Sequence, residues 1–159
     1  MFFYPSKCVN LRISRERSSP PRTYSLNGFV LEVVKAERDL GILISSDTTW
    51  KDHIVLVVAK ANKMLGFLKR NCAGLVNKEA LLRFYHSLVR SHVCFWSQVW
   101  SPQSTVNNLC LVEGIQRRAS RFIVGKGSDL SYGDRLIKLR LLPLNYCWNI
   151  WIWFSFINV

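Results

Sequence analysis

A chain of 159 residues that is 49% hydrophobic is too apolar for a disordered tail, and it is long enough to bury the core of one domain. It contains 22 Lys and Arg against ten acidic residues, and the resulting charge of +12 favours polyanionic partners through counterion release. Nucleic-acid-binding, ribosomal and membrane-surface proteins share such a charge, so composition alone does not select the partner.

The first fifty residues have the period of strands and turns. Apolar and polar residues alternate over 9–13, as in a half-buried strand. Asn27 and Gly28 separate two short apolar runs, and both residues tolerate the positive φ angles of a type I′ turn. The sequence therefore predicts a β-hairpin at this point, and a further strand over 40–44.

From Trp50 onward the apolar period becomes helical. Steps of four and three place one apolar stripe on the first predicted helix, formed by Ile54, Val58, Ala61, Leu65 and Leu68. Asn77 can cap a second helix, a third follows Ser104, and a short fourth spans 132–140. The patterns predict an α+β fold, in which a short N-terminal antiparallel β segment with a hairpin precedes a mostly α-helical bundle.

The predicted helices have basic outer faces. A surface that holds a duplex without reading its sequence needs cations at phosphate spacing and no particular base contacts. An ordinary solvated helix face contains the same residue types, so each position has two interpretations. The candidate nucleic-acid-binding residues on these helices are Lys60, Lys63, Lys69, Arg70, Arg83, Arg90, Arg117, Arg118 and Arg121.

Histidines and cysteines do not form a recognisable site in the sequence. The nearest approach to ligand spacing is His92 and Cys94, and nothing completes a zinc set around them. The five cysteines are odd in number and widely spaced, and 1–5 is too short for a signal peptide. We therefore predict no metal site, reduced thiols, and an intracellular protein of the nucleus or cytoplasm that is not secreted.

Three blocks of sequence occur in a characteristic order in the second half of the chain. They are Leu65-Gly-Phe-Leu-Lys-Arg70, then 84–92 running on to Val99-Trp-Ser-Pro102, then 112–124. Their order and spacing resemble the region downstream of the catalytic core in reverse transcriptases of non-long-terminal-repeat retrotransposons, the jockey-like group. Upstream matches extend the resemblance to about residues 4–146, namely Pro5-Ser-Lys-Cys8, Tyr24-Ser-Leu-Asn-Gly28 and Asp39-Leu-Gly-Ile42.

The resemblance implies a division of the chain and some residue roles. Residues 1–48 would be the end of a polymerase palm, 49–140 a thumb-like helical domain, and 141–159 an apolar aromatic tail. Asp39, Leu40 and Gly41 would correspond to the primer grip, where glycine permits close backbone approach, although an ordinary turn explains them equally well. Lys7 would correspond to a lysine near the incoming nucleotide. Without metal-binding aspartates, we interpret Lys7 as a surface residue with at most a nucleic-acid contact.

The implied function is that of a fragment of an RNA-directed DNA polymerase from a transposable element. Parent enzymes bind catalytic Mg²⁺ through paired aspartates, and this chain has no Asp-Asp pair. We therefore predict no catalytic residue, no cofactor and no polymerase activity in this chain. The expected partners are an RNA or DNA duplex or hybrid, bound without sequence preference, and the upstream polymerase segment.

The last nineteen residues after Arg140 contain no charge and are rich in tryptophan and phenylalanine. We interpret the tail as the product of a frameshift or truncation in a decayed element. The alternative is a basic helical membrane-surface protein anchored by this tail, and a third interpretation is a relic without function. A spanning helix is not expected, because the stretch barely reaches the ~20 residues required and contains Pro143.

Overall fold

The computed structural model describes residues 4–13, 22–100, 106–125 and 127–146. The chain divides into two compact units, Met1–His53 and Ile54–Val159. Short strand pairs form the first unit and helices form the second, which confirms the predicted α+β fold. Pro102 and residues 147–159, which include Cys147 and most of the predicted aromatic tail, lie outside the described residues.

In residues 4–13 and 22–50 the first unit has a 3-10 turn and six short strands. The turn is Pro5–Lys7, and the strands are β1 (Val9–Leu11), β2 (Ser25–Leu26), β3 (Phe29–Val30), β4 (Glu32–Val34), β5 (Ala36–Asp39) and β6 (Ile42–Ser45). β2 pairs with β3 and β5 with β6, both antiparallel, whereas β1 pairs with β4 in parallel. The parallel pair was not predicted, because pairing between strands distant in the chain leaves no local sequence signal.

Two tight turns close the antiparallel hairpins. Asn27 and Gly28 have φ angles of 49° and 82°, which confirms the hairpin predicted between β2 and β3. Leu40 and Gly41 have nearly the same angles, 47° and 87°, and join β5 to β6. The strand predicted over 40–44 therefore begins at Ile42 instead. Leucine is sterically disfavoured in the left-handed region, so the sequence favoured a strand over 40–44 and left a turn only as the second interpretation of 39–41.

The edge of the β5–β6 hairpin is closed by a histidine side chain. In the antiparallel register Leu43 lies opposite Arg38, one position beyond the pair that closes the turn, so its N–H points away from β5. That N–H donates to Nδ1 of His53 over 3.1 Å, and His53 is buried. His53 thus satisfies a backbone donor that the ladder leaves unpaired.

Six α-helices follow in chain order. They are α1 (Lys51–Asn71), α2 (Lys78–Phe84), α3 (Ser91–Cys94), α4 (Ser97–Trp100), α5 (Val106–Val124) and α6 (Tyr132–Leu139). On α1 the predicted stripe is buried, except that Val58 is only half-buried. On α5 the apolar period predicts five inward residues, Leu109, Val112, Ile115, Ala119 and Phe122. Val112, Ile115 and Ala119 are buried and the other two are half-buried, and Gly125 ends the helix with a φ of 106°.

A π-helical turn, Tyr85–Arg90, lies between α2 and α3. The side chain of Asn77 accepts from the N–H groups of Glu79 and Ala80 over 3.0 and 3.1 Å, which confirms the predicted cap of α2. The buried residues recur at steps of four along the segment: Leu81, Tyr85, Val89 and Val93. On an α-helix with 3.6 residues per turn, residues four apart are displaced by about 40° around the axis, and the displacement accumulates along the stripe. The π-helical turn has more residues per turn, so it cancels part of this displacement and keeps the four residues on one face.

A buried hydrogen-bond network ties α5 to its neighbours. The hydroxyl of Tyr85 donates to Oε1 of Gln116 over 2.9 Å, and Nε2 of Gln116 donates to the carbonyl of Leu142 over 3.0 Å. The carboxylate of Glu113 accepts from the Tyr132 hydroxyl and, over 3.0 Å, from the N–H of Leu144. Leu144 is fully buried, so the start of the predicted tail segment belongs to the core of the helical unit.

We predict that Leu40→Asn stabilises the β5–β6 hairpin, because Asn enters the left-handed region at lower cost than Leu. Leu40 is 74% exposed, so little buried contact is lost. Hydrogen exchange at the amides of Ile42 and Ile44 should slow, with a gain of roughly 0.5–1 kcal/mol in local opening free energy. Leu40→Val is the matched control and should speed exchange, since a β-branched residue is strained there. Equal exchange in all three proteins would contradict the turn.

We predict that the helical unit loses stability at alkaline pH. Burial raises the pKa of Tyr85 and of Tyr132 above the ordinary value of 10.0, and the Glu113 hydrogen bond raises that of Tyr132 further. Both phenols ionise near pH 10 in the unfolded chain and remain protonated in the folded one. Their contribution to stability is therefore complete below that pH and is lost as the pH rises above it.

Denaturant unfolding at about pH 8 and about pH 11 measures this loss. Tyr132→Phe should flatten the alkaline decline, while Tyr146→Phe, at a half-exposed position of the same unit, should leave it unchanged. A decline that is the same in both variants would show that burial of Tyr132 is not its cause.

Candidate nucleic-acid interface

The positive charge of the protein is concentrated in the helical unit. Residues 54–159 contain 14 Lys and Arg and four acidic residues, whereas residues 1–53 contain eight and six. Three of those four acids have structural partners. Glu79 pairs with Arg83 at 2.8 Å, Glu113 belongs to the buried network, and Asp134 completes the capping box of α6 with Ser131. Most cations of the unit are thus left without a neutralising carboxylate.

The face of α1 opposite its buried stripe has a second regular stripe, which we call the α1 outer stripe. Its exposed members, spaced by four, three, four and three residues, are Leu56, Lys60, Lys63, Phe67 and Arg70. The sequence predicted the cations and Phe67 on this face. It did not predict Leu56, which lies near the helix start and is 38% exposed. The stripe is about 21 Å long, and three of its five members are basic.

The outer face of α5 presents three exposed arginines, as predicted: Arg117, Arg118 and Arg121. The guanidinium of Arg117 lies 5.0 Å from the centre of the Tyr132 ring, a cation–π contact that leaves its charge in place. Nη2 of Arg118 donates to Oδ1 of Asn62 over 2.7 Å. Because Asn62 belongs to α1, this hydrogen bond links the arginine face of α5 to α1.

The other four predicted residues do not belong to the exposed cations of α1 and α5. Lys69 is half-buried and points about 120° around α1 from Lys63. Arg83 is engaged by Glu79, and Arg90 is half-buried in the π-helical turn. Lys7 is exposed in the 3-10 turn of the first unit, so this structure does not group it with the helical cations.

The residues predicted as a primer grip form a surface turn. Asp39 ends β5, and Leu40 and Gly41 make the two-residue connection to β6, with all three exposed. Asp39 pairs with Ile42 across the hairpin. The structure therefore places them at an exposed hairpin tip of the first unit, and the primer-grip role stays a prediction.

The aromatic segment after α3 separates into a buried and an exposed part. Trp100 is fully buried, and its Nε1 donates to the carbonyl of Phe95 over 2.8 Å, so it belongs to the core. Phe95 and Trp96 are each 49% exposed, and they border an open cavity of about 570 Å³ lined by residues 94–99. The sequence leaves two interpretations of Trp96 and Trp100, core packing or stacking on bases, and only Trp96 has a ring available for stacking.

His86, in the π-helical turn, adds no positive charge to that of Arg90. Burial lowers the pKa of His86, and the nearby charge of Arg90 lowers it further. His86 is therefore neutral at physiological pH. Its ring meets that of Tyr85 edge to face, with centroids 5.6 Å apart.

Some kinds of site are not found within the described ranges. His, Cys, Asp and Glu side chains do not assemble there into a group of three or more that could hold a metal ion. Cys8, Cys72, Cys94 and Cys110 are free thiols. None of the helices in those ranges is both long and apolar enough to cross a membrane.

Comparison of this chain with known protein families, curated proteins and solved structures finds no match. The resemblance to retrotransposon reverse transcriptases is therefore carried by the sequence motifs alone.

Proposed function

We propose that the helical unit binds the phosphate backbone of a nucleic-acid duplex or RNA–DNA hybrid without reading its sequence. In this proposal the chain is the end of the palm and the thumb of a retrotransposon reverse transcriptase. The observation that carries it is a set of six exposed cations on two helices that the Arg118–Asn62 hydrogen bond links. The cations are Lys60, Lys63 and Arg70 on α1 and Arg117, Arg118 and Arg121 on α5. None of these six cations makes an ion pair with a described residue.

The linear arrangement of the charges favours a polymer over a small anion. Lys60 and Arg70 are separated by about 15 Å along α1, too far to meet on one phosphate or carboxylate. Duplex DNA presents one charge per ~1.7 Å of its axis and can engage the whole row. Phosphate contacts of this kind position a protein on a duplex without conveying base identity, which is what a polymerase thumb requires.

Exposed apolar residues in the α1 outer stripe support a second candidate function, binding to an anionic membrane surface. Leu56 and Phe67 flank the two lysines, and interfacial helices combine basic and large apolar residues. The two functions differ in what the apolar residues contribute. Leu56→Ser combined with Phe67→Ser should abolish binding to anionic vesicles, and it should change duplex binding less than removal of two lysines does.

We predict that the purified chain incorporates no nucleotide in a primer-extension assay with Mg²⁺. The parent chemistry requires two metal ions held by paired aspartates, and the chain has no Asp-Asp pair. The measurement compares primer extension by the wild-type chain with a blank preparation. Extension that copurifies with the chain would contradict the proposal that it is a polymerase fragment without catalytic residues.

We predict a steep salt dependence of duplex binding. If six cations contact phosphates, the slope of log K against log salt is about −5. Lys60→Gln with Lys63→Gln should reduce the magnitude of the slope by about two. Each phosphate contact releases counterions when the duplex binds, and the variant makes two fewer contacts. Fluorescence anisotropy with a labelled duplex of random sequence measures both slopes.

The matched control removes the same charge elsewhere in the unit. Arg83 is paired with Glu79, and Lys138 is exposed on α6. Arg83→Gln with Lys138→Gln should leave the slope close to that of the wild type. Equal slopes for the two double variants would show that net charge, and not the α1 outer stripe, governs binding. Absence of binding at low salt would overturn the proposed function.

A further inference from the structure

A cavity lies between α5, the start of α6 and residues 143–146, all within the helical unit. Its volume is about 270 Å³. Pockets that hold a drug-sized molecule typically measure about 300–1,000 Å³, so this one suits a smaller group, such as a single nucleobase. Arg117 belongs to its lining and is also one of the exposed cations of α5, so it lies at the rim. The cavity is therefore continuous with the surface that we propose for the phosphate backbone.

The lining combines hydrogen-bonding side chains with apolar and aromatic walls. Glu113 and Asn145 provide the polar groups, and Pro143 and Tyr146 belong to the walls. Oε2 of Glu113 accepts from the N–H of Leu144 over 3.0 Å, and a carboxylate oxygen can accept a second hydrogen bond. Oδ1 of Asn145 accepts from the N–H of Tyr146 over 2.9 Å, which leaves the amide nitrogen as a donor. The cavity thus offers both an acceptor and a donor to a ligand.

The two tyrosines of the cavity differ in what they can contact. The ring centre of Tyr132 lies 5.0 Å from the guanidinium of Arg117 and 5.7 Å from that of Arg135, so cations already occupy this ring. Tyr146 is 58% exposed, and a flat group can stack on it. The ring that remains for a ligand is that of Tyr146.

The charges decide which part of a nucleotide can enter the cavity. A phosphate inside it would be repelled by the carboxylate of Glu113. A phosphate at the rim would instead meet Arg117, and the next phosphate could reach Arg121, one turn further along α5. A base is uncharged, and its Watson–Crick edge carries the N–H donors and the acceptors that Glu113 and Asn145 require. The arrangement therefore fits a base inside the cavity and its phosphate outside.

We propose that this cavity binds one unpaired base of a nucleic-acid strand whose phosphates contact Arg117 and Arg121. The inference rests on the proposed function and adds a single-stranded site to its duplex surface. The base stacks on Tyr146 and forms hydrogen bonds with Glu113 and Asn145. Because every base has a flat face and at least one N–H group on this edge, the site requires an unpaired base and no particular sequence.

The test removes the bases and keeps the phosphates. The probe is a labelled RNA–DNA hybrid with a short single-stranded extension, and it is compared with the same hybrid whose extension is abasic. The two probes have equal charge, so their salt slopes should agree, whereas the extension with bases should bind at least about fivefold more tightly. Because the probe is changed and the protein is not, an altered fold cannot produce the difference.

Tyr146→Ala assigns the difference to the cavity. It should reduce the ratio of the two affinities to less than about twofold and leave binding of the abasic probe unchanged. Trp96→Asn is the matched control, because Trp96 is another exposed aromatic ring of this unit and Asn tolerates its φ of 49°. This variant should keep the ratio of the wild type. A ratio lost with Trp96→Asn and kept with Tyr146→Ala would overturn the proposal.

The remaining outcomes separate the cavity from the proposed function. Equal affinities of the wild type for the two probes, with a steep salt slope retained, would remove the base site and leave the proposed function standing. Absence of binding to either probe would remove both. Adenosine monophosphate offers a base without a strand and should not compete at a concentration equal to that of the hybrid. Displacement of the extension under that condition would make the cavity a site for a free nucleotide and overturn its assignment to a strand.

Discussion

The helical unit depends on one buried amide, that of Gln116. Burial of an amide without hydrogen-bond partners destabilises the folded state, because the amide loses its hydrogen bonds to water. Gln116 can be buried because its side-chain oxygen and nitrogen both form hydrogen bonds within the protein. Tyr85 donates to the oxygen, and the nitrogen donates to the Leu142 carbonyl and, over 3.3 Å, to the Tyr132 hydroxyl. The bonds reach the π-helical turn, α6 and the segment after α6, and together they fix how α5 is rotated about its axis.

That rotation determines the surface. With Gln116 and the buried Ser120 facing inward, Arg117, Arg118 and Arg121 must face outward. The neighbouring carboxylate belongs to the same network. Glu113 accepts hydrogen bonds from the Tyr132 hydroxyl and the Leu144 N–H, so it does not neutralise an arginine of the outer face. The order of residues on α5 therefore has two effects. The polar groups in the core all find hydrogen-bond partners, and the arginines on the outer face are left without a carboxylate from this helix.

The sequence predicted those features that depend on the spacing of apolar residues along a helix or on the residues of a single turn or cap. The stripes of α1 and α5, the Asn77 cap and the Asn27-Gly28 hairpin were all predicted. The Leu40-Gly41 turn was only the second of two interpretations, because leucine seldom adopts a positive φ. The β1–β4 pair was missed because it joins distant segments. The burial of Gln116 was missed for a related reason: its partners lie 26 and 31 residues away in the chain.

Local rules are broken at several positions, and only some have a structural explanation. Leu40 closes a hairpin, and Arg140, with a φ of 53°, ends α6 where its N–H reaches the carbonyls of Leu136 and Ile137. Gly66 and Gly114 close no turn and end no helix, and a Cβ at either position would meet an arginine guanidinium at 3.5 Å, an ordinary van der Waals distance. Alanine would therefore fit at both positions, and the structure gives no reason for the two glycines. The positions with a reason are those where a backbone turn must be made, so on this chain the local rules are broken by the path of the chain more than by its packing.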